Sequence, residues 1–172
     1  MNKTLEIYTD GSSLGNPGPG GWGVVIISNE ELIINNEKPN NKNQIPKTNI
    51  VELGGGQKNT TNNRMELQAA IEALKYILAR QGLAESEVSI YADSAYVLNG
   101  VTSWIYGWEK NGWRTANKKP VMNQEIWQEL IGLVRGFKGK INWQKVKGHS
   151  GHIYNDKADE IATTYATNQK GN

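Results

Sequence analysis

Hydrophobic residues follow a helical period most clearly over residues 61–80. One apolar stripe recurs there at spacings of three and four, made of Leu67, Ala70, Ile71, Leu74, Ile77 and Leu78. Such a stripe predicts an amphipathic helix. Polar residues 60–62 supply candidates for its N-cap, and Gly82 is a natural stop.

Short runs of alternating or β-branched residues predict five strands. They cover residues 4–8, 21–27, 50–56, 88–92 and 141–146, with 32–34 as an extension of the second. Gly, Ser, Asn and Pro over 11–21 predict a turn between the first two strands. Further helical patterns cover residues 94–108, 123–134 and 155–166.

Details of the last two helices are also predictable. Asn123 is a candidate cap, and Glu125 adds favourable charge to the first turn that follows it. The apolar stripe of the final helix consists of Ala158, Ile161, Ala162 and Tyr165.

The order of these elements predicts an α/β fold. Three strands in a meander, then helix–strand–helix–strand–helix, favour a five-stranded mixed sheet, three strands antiparallel and then two parallel, flanked by helices. We expect one domain over residues 1–172. Residues 35–49, rich in Asn, are interpreted as an exposed loop insertion, and residues 168–172 as a flexible tail.

Composition limits the chemistry. The chain has no cysteine and two histidines, which excludes disulfides, cysteine nucleophiles and histidine-rich metal sites. Any metal must be held mainly by oxygen, which favours Mg²⁺ or Mn²⁺. No apolar run is long enough for a membrane span and no signal peptide is predicted, so a cytoplasmic monomer without a protein partner is the default expectation.

Charge matters here through its distribution. The net charge of +2 is too small to indicate nucleic-acid binding alone. Within residues 104–119, however, cations are interleaved with tryptophans, which is typical of a surface that follows a phosphate backbone. These residues are Trp104, Trp108, Lys110, Trp113, Arg114, Lys118 and Lys119. Trp104 and Trp108 are also spaced for core packing on a helix, and that alternative stays open.

Carboxylates occupy four positions from which they can converge. Asp10 and Asp93 each end a predicted strand, where open α/β sheets build their sites. Glu66 is placed in the first turn of the long helix, at the edge of its stripe, and Asp159 has a matching position on the last helix. Singly, such residues usually cap turns or complement a helix dipole.

Together the four carboxylates would repel one another unless cations neutralised them. An oxygen-only cluster suits Mg²⁺, and two such ions can stabilise the attacking and leaving oxygens of a phosphoryl displacement. Asp156 and Glu160 project away from the stripe of the last helix, and we expect them to be solvated.

Four motifs resemble those of the bacterial ribonuclease HI family, over about residues 5–166. They are residues 8–12 with 15–21 (YTDGS and GNPGPGG), residues 60–67 (TTNNRMEL), Asp93-Ser94 with Tyr96-Val97, and residues 146–152 (VKGHSGH) followed by Asn155 and Asp159-Glu160. The resemblance implies an endonuclease that hydrolyses the RNA strand of RNA–DNA hybrids. It also implies a working complex with two Mg²⁺ ions, for which Mn²⁺ can substitute.

Residue roles follow from the same resemblance. It implies that Asp10, Glu66, Asp93 and Asp159 bind the metal ions and act in catalysis, with His149 as a mobile catalytic histidine. His152 is interpreted as structural, at the start of the last helix. The substrate-binding set that it implies consists of Ser13, Asn16, Thr61, Asn62, Asn63 and Asn155, together with the tryptophans and cations of residues 104–119. Within that set, Thr61 corresponds to a residue that contacts a phosphate of the DNA strand.

Departures from the family pattern leave the carboxylates untouched. Glu109 and Asn111 stand where the family often has basic residues, so either hybrid affinity or its salt dependence is expected to be lower. Two alternative functions are a catalytically silent hybrid-binding module on the same fold, and a recombinase or integrase. The intact acidic set disfavours the first, and the short chain disfavours the second.

Overall fold

A computed structural model describes residues 4–28, 48–147 and 151–171. The strands are β1 (Thr4–Ser13), β2 (Gly18–Ser28), β3 (Asn49–Thr60), β4 (Glu87–Ala92) and β5 (Lys140–Lys145). The helices are α1 (Asn62–Leu78), α2 (Ala95–Asn99), α3 (Ile105–Lys110), α4 (Gln124–Gly136) and α5 (Ile153–Asn168). A π-helical turn, Gly100–Trp104, joins α2 to α3, and a 3₁₀ turn, Gln169–Gly171, follows α5.

The five strands form one mixed sheet in the order β3-β2-β1-β4-β5. β1 pairs antiparallel with β2, and β2 with β3, whereas β4 is parallel to both β1 and β5. The predicted α/β architecture is therefore confirmed, including the change from antiparallel to parallel pairing.

Alternation along β1 divides the core between the two faces of the sheet. Leu5 and Ile7 point to one face and are fully buried in the main cluster with α1 and α4. Tyr8 points to the other face and packs with Ala158 of α5. Because side chains of a strand alternate, the same ten residues contribute to both layers.

Glycines set how closely the helices approach the sheet. A Cβ atom on Gly11 would lie 2.3 Å from the backbone nitrogen of Glu66, so α1 rests directly on β1. A Cβ on Gly21 would lie 2.2 Å from the Ala162 carbonyl oxygen, and one on Gly23 equally close to the backbone of α5. These contacts require the absence of a side chain.

Several predicted boundaries are wrong. The turn predicted over residues 11–21 is mostly strand, because Ser12 and Ser13 pair with Gly21 and Gly20 and extend the hairpin. Asp10 therefore lies within β1 and does not end it. Helix α1 starts at Asn62, capped by the Thr61 hydroxyl, which places Glu66 in the second turn and not the first.

Two predictions about the later helices also need correction. Asn123 is at the N-cap position of α4, but its backbone is left-handed with φ of 58° and its side chain makes no capping bond. Glu125 does lie in the first turn, as predicted. On α5, Ala158 and Ala162 are fully buried, whereas Tyr165 is 39% exposed.

Some expectations concern parts of the chain that the structure leaves out. The 32–34 strand extension and most of the 35–49 loop lie outside the described residues, as does His149. Of the tail expected over 168–172, residues 168–171 are helical and Asn172 is outside the described part. Within the described ranges, no helix combines the length and apolar character that crossing a membrane requires.

Candidate active site

Three of the four predicted carboxylates meet at one end of the sheet. Ligand oxygens of Asp10, Glu66 and Asp93 all lie within 4.8 Å of one another. The fourth, Asp159, lines the same cavity of about 340 Å³. The lining of this acidic pocket is completed by Gly11, Ser12, Asn62, Ser94 and Asn155.

Each carboxylate reaches the pocket from a different element. Asp10 comes from β1, and Asp93 follows the last residue of β4, its parallel neighbour. Glu66 comes from α1, which packs on the sheet as a separate layer. Its backbone lies close to β1 because Gly11 carries no side chain. Asp159 projects from α5 one residue beyond Ala158, which is packed onto the sheet.

Burial and mutual repulsion make the acidic pocket electrostatically strained. Asp10 is 7% exposed and Glu66 is 4% exposed. Loss of solvation, followed by repulsion from Asp93, raises the pKa of Asp10 from 3.8 to about 7. Loss of solvation and the charge of Asp10 raise the pKa of Glu66 well above its ordinary value.

Hydrogen bonds compensate for only part of this cost. The Gly11 N–H donates to Asp10 Oδ1 at 2.9 Å and favours its ionised form. Oε2 of Glu66 is buried and has no hydrogen-bond partner among the described residues. A buried acceptor without a donor is expensive, and a divalent cation would satisfy it. The donor set, all oxygen and net negative, therefore fits Mg²⁺ or a similar hard cation.

Polar residues of the β1–β2 hairpin and the start of α1 form one edge beside the pocket. Asn16 Oδ1 accepts a hydrogen bond of 2.9 Å from the Asn62 backbone N–H, and Asn62 itself lines the pocket. The Ser13 hydroxyl donates to the Gly15 carbonyl. Thr61 Oγ1 accepts from the Arg64 N–H, which leaves the hydroxyl proton of Thr61 available to another acceptor. Asn63 is exposed on the same first turn.

The basic segment, residues 104–119, has two parts with different exposure. Trp108 and Trp113 are half-buried and pack against the main core, as the core interpretation predicts for Trp108. Trp104 is 39% exposed and contacts Trp108 with ring centroids 5.8 Å apart. The four cations, Lys110, Arg114, Lys118 and Lys119, are all exposed.

Glu109, one of the two departures from the family pattern in this segment, forms an ion pair. Its carboxylate pairs with Arg135 of α4 at 2.6 Å. Because Arg135 balances the charge of Glu109, the pair adds no net negative charge to the surface that carries the four cations. Asp156 and Glu160 are exposed, as predicted.

Sequence reasoning missed two pocket hydroxyls and a polar network. Ser12 and Ser94 line the pocket, and each stands within two residues of a carboxylate, a signal that was available. Ser94 also caps α2 through the Val97 N–H. Arg64 bonds both Asn123 and Glu125 and so joins the starts of α1 and α4, a contact that no local pattern indicates.

Comparisons with known proteins agree with this geometry. The sequence profile of the RNase H family matches residues 2–167. The chain is 46% identical over 160 residues to the ribonuclease H of Brucella anthropi, which covers 93% of this chain and 88% of that protein. It is 47% identical over 169 residues to the ribonuclease H of Thermosynechococcus vestitus, covering 98% and 92%.

Solved structures support the same conclusion. LC9-RNase H1, a type 1 RNase H with the type 2 active-site motif, aligns with a TM-score of 0.77 at 30% identity, over 98% of this chain and 74% of that chain. LC11-RNase H1, solved in complex with an RNA/DNA hybrid, aligns with a TM-score of 0.64 at 23% identity over 97% and 99%, and supports the fold alone. The profile match and the extent of these identities establish the family: this chain belongs to the ribonuclease H family.

Proposed function

We propose that the protein is an endonuclease that hydrolyses the RNA strand of RNA–DNA hybrids and leaves 5′-phosphate and 3′-hydroxyl ends. The observation that carries this proposal is the buried acidic cluster, with Asp10, Glu66 and Asp93 oxygens within 4.8 Å. Carboxylates this close and this buried favour the binding of divalent cations, and we propose two Mg²⁺ ions, for which Mn²⁺ can substitute.

Asp10, Glu66, Asp93 and Asp159 would hold these ions. When bound, such ions stabilise negative charge on the oxygens of a phosphodiester under attack. The Gly11 N–H donates to Oδ1 of Asp10 and so helps to fix the orientation of this carboxylate. Ser12, Ser94 and Asn155 line the pocket with polar groups that can orient the reacting phosphate.

Recognition of RNA is proposed for the polar edge beside the pocket. A protein distinguishes RNA from DNA at the 2′-hydroxyl, which both donates and accepts hydrogen bonds. Ser13, Asn16, Asn62 and Asn63 offer hydroxyl and amide groups along this edge, and Asn62 also lines the pocket with the carboxylates. The free hydroxyl proton of Thr61 suits a phosphate oxygen of the DNA strand.

Affinity for the hybrid is proposed to come partly from the basic segment. Its four exposed cations can neutralise phosphates, and the exposed face of Trp104 offers apolar contact. We also propose His149 as a proton-transfer residue, on the strength of its motif and of imidazole chemistry near neutral pH.

Cleavage assays test the proposal. With Mg²⁺, the protein should cut the RNA of an end-labelled hybrid and leave double-stranded RNA and double-stranded DNA intact, and EDTA should stop the reaction. Asp10→Asn and Glu66→Gln should reduce cleavage to background, whereas Asp156→Asn, which changes an exposed carboxylate of α5, should cut at the wild-type rate.

Two results would overturn it. Wild-type cleavage by Asp10→Asn would remove the acidic cluster from the mechanism. Tight hybrid binding without turnover by the wild-type protein would identify a silent hybrid-binding module.

A further inference from the structure

Aromatic rings cluster on the α5 face of the sheet, beside the acidic pocket. This aromatic cluster consists of Tyr8, Tyr91, His152 and Tyr154, with Tyr8 at its centre and 2% exposed. The Tyr8 ring lies 4.8 Å from Tyr91 at 10° and 4.8 Å from His152 at 28°, both stacked. Tyr154 is tilted against Tyr8 at 5.7 Å. Stacked pairs of this kind stabilise beyond the area that they bury.

The two strand members of the cluster, Tyr8 and Tyr91, each lie two residues before a carboxylate of the pocket. Tyr8 and Tyr91 face each other in the parallel register of β1 and β4. Asp10 and Asp93 each follow two residues later along the chain. The stacked tyrosines therefore join the two segments that bring these carboxylates together.

The remaining members belong to the start of α5. His152 is three residues before Asn155 and seven before Asp159, spacings that keep positions on one side of a helix. Asn155 and Asp159 both line the acidic pocket. A rotation of the first turns of α5 would therefore move both side chains relative to Asp10.

Two other residues of that first turn are also packed: Tyr154 lies against the cluster and Asn155 is buried. His152 is the N-cap residue, but its own side chain makes no capping hydrogen bond there. The glycine contacts that seat α5 begin only at Ala158. Tyr8 OH lies 3.4 Å from His152 Nε2, which is long for a hydrogen bond, so ring stacking dominates the contact.

We propose that His152 is a positioning residue: by stacking on Tyr8 it sets the orientation of the first turns of α5, and thereby places Asn155 and Asp159 in the pocket. This inference rests on the proposed function for the role of the pocket. His152 is not among the residues that line the pocket and does not contact the reacting atoms. His152 is an exposed residue, so replacing it opens no cavity in the core.

Three variants separate stacking from other roles. His152→Ala removes the ring, His152→Phe keeps a stacking ring without nitrogens, and Ile153→Ala changes a neighbour that is 72% exposed. The readouts are Mg²⁺ affinity by calorimetry without nucleic acid, kcat and KM for a hybrid, and hydrogen exchange of amides 156–160, the first of which donates to the His152 carbonyl.

For His152→Ala we expect Mg²⁺ affinity to fall about 10-fold, as for residues that orient metal ligands. Its kcat should fall at saturating hybrid with KM within about twofold, and its amides 156–160 should exchange at least about 10-fold faster. His152→Phe should restore all three values, and Ile153→Ala should match the wild type.

Each other outcome has a definite meaning. If His152→Phe is as impaired as His152→Ala, or if His152→Ala matches the wild type, the stacking role is refuted. A raised KM with unchanged Mg²⁺ affinity would refute it too, because Asp159 would then keep its place without the ring of His152. If the wild type binds no Mg²⁺, the proposed function fails at its metal site, and the exchange rates alone still decide whether the stack orders α5.

Discussion

Replacing Asp10 by Asn should stabilise the protein when no divalent cation is bound. Asp10 is 7% exposed and lies among carboxylates, and its pKa of about 7 reflects the cost of charging it there. Asparagine has nearly the same shape and no charge. Its Oδ1 can still accept from the Gly11 N–H, and its amide can donate to Glu66.

The size of the effect follows from the pKa. A rise from 3.8 to about 7 corresponds to about 4 kcal/mol, since one pKa unit is about 1.4 kcal/mol. Relaxation of the pocket reduces this, so we expect a gain of about 1 to 4 kcal/mol in the free energy of unfolding. For a domain of this size that is about 3 to 15 °C in Tm.

The pH dependence has a definite sign. Because the pKa of Asp10 is raised on folding, the folded state holds its proton more tightly than the unfolded chain. Its contribution to stability is complete below pH 3.8 and is lost as the pH rises through about 7. The advantage of Asp10→Asn should therefore be small near pH 4, grow up to about pH 7, and be constant above about pH 8.

Thermal and urea unfolding in EDTA between pH 4 and 9 measure this difference. Glu85→Gln is the control, because Glu85 is an exposed carboxylate on the turn before β4, and its stability should follow the wild type at every pH. Saturating Mg²⁺ should stabilise the wild type more than Asp10→Asn. An Asp10→Asn protein that is less stable than the wild type in EDTA at pH 8 would refute the reasoning, as would a gain that does not change with pH.

Three further predictions concern packing and substrate binding. Gly21→Ala should cost about 1 to 3 kcal/mol by urea unfolding, because its Cβ would meet a backbone oxygen of α5; Gly107→Ala, with open space around it, should be neutral or stabilising. Trp127→Ala should lower stability by about 3 to 5 kcal/mol, since its side chain is fully buried. Replacing Trp104 and Lys118 together by Ala should raise KM for the hybrid and weaken its salt dependence while kcat changes less than about twofold, and an unchanged KM would count against the basic segment.

Elements whose pattern is local could be predicted from the sequence. The predicted limits of α1, residues 61–80, differ from the observed helix by one and two residues, because its apolar stripe and the Thr61 cap are both local signals. The end of β1 was misplaced because Gly11, Ser12 and Ser13 have turn-forming side chains. They are held extended by pairing with β2, which is a tertiary contact.

In the candidate site, too, some features could be predicted from the sequence and others depend on tertiary contacts. Asp10 and Asp93 converge because β1 and β4 are parallel neighbours, whereas the sequence predicts a mixed sheet without saying which strands are adjacent. The depth of Glu66 does not follow from its own segment, because it depends on α1 resting on Gly11. The left-handed backbone of Asn123 is likewise tertiary: its side chain bonds Arg64 and Tyr96 instead of capping its own helix.

Glycine contacts couple ion binding to the packing of the helices on the sheet. Glu66 and Asp159 reach the pocket on α1 and α5, and both helices rest on the sheet at glycines, with no side chain between the backbones. A methyl group at such a contact would displace the helix from the sheet. A Mg²⁺ site tolerates little displacement of its ligands, because it requires metal–oxygen distances of about 2.1 Å. The repulsion among the carboxylates acts in the same direction, since it pushes the helices that carry them away from the sheet. Ion binding removes that repulsion, so substitutions at these glycines should weaken ion affinity and folding stability together, and added Mg²⁺ should recover part of the lost stability.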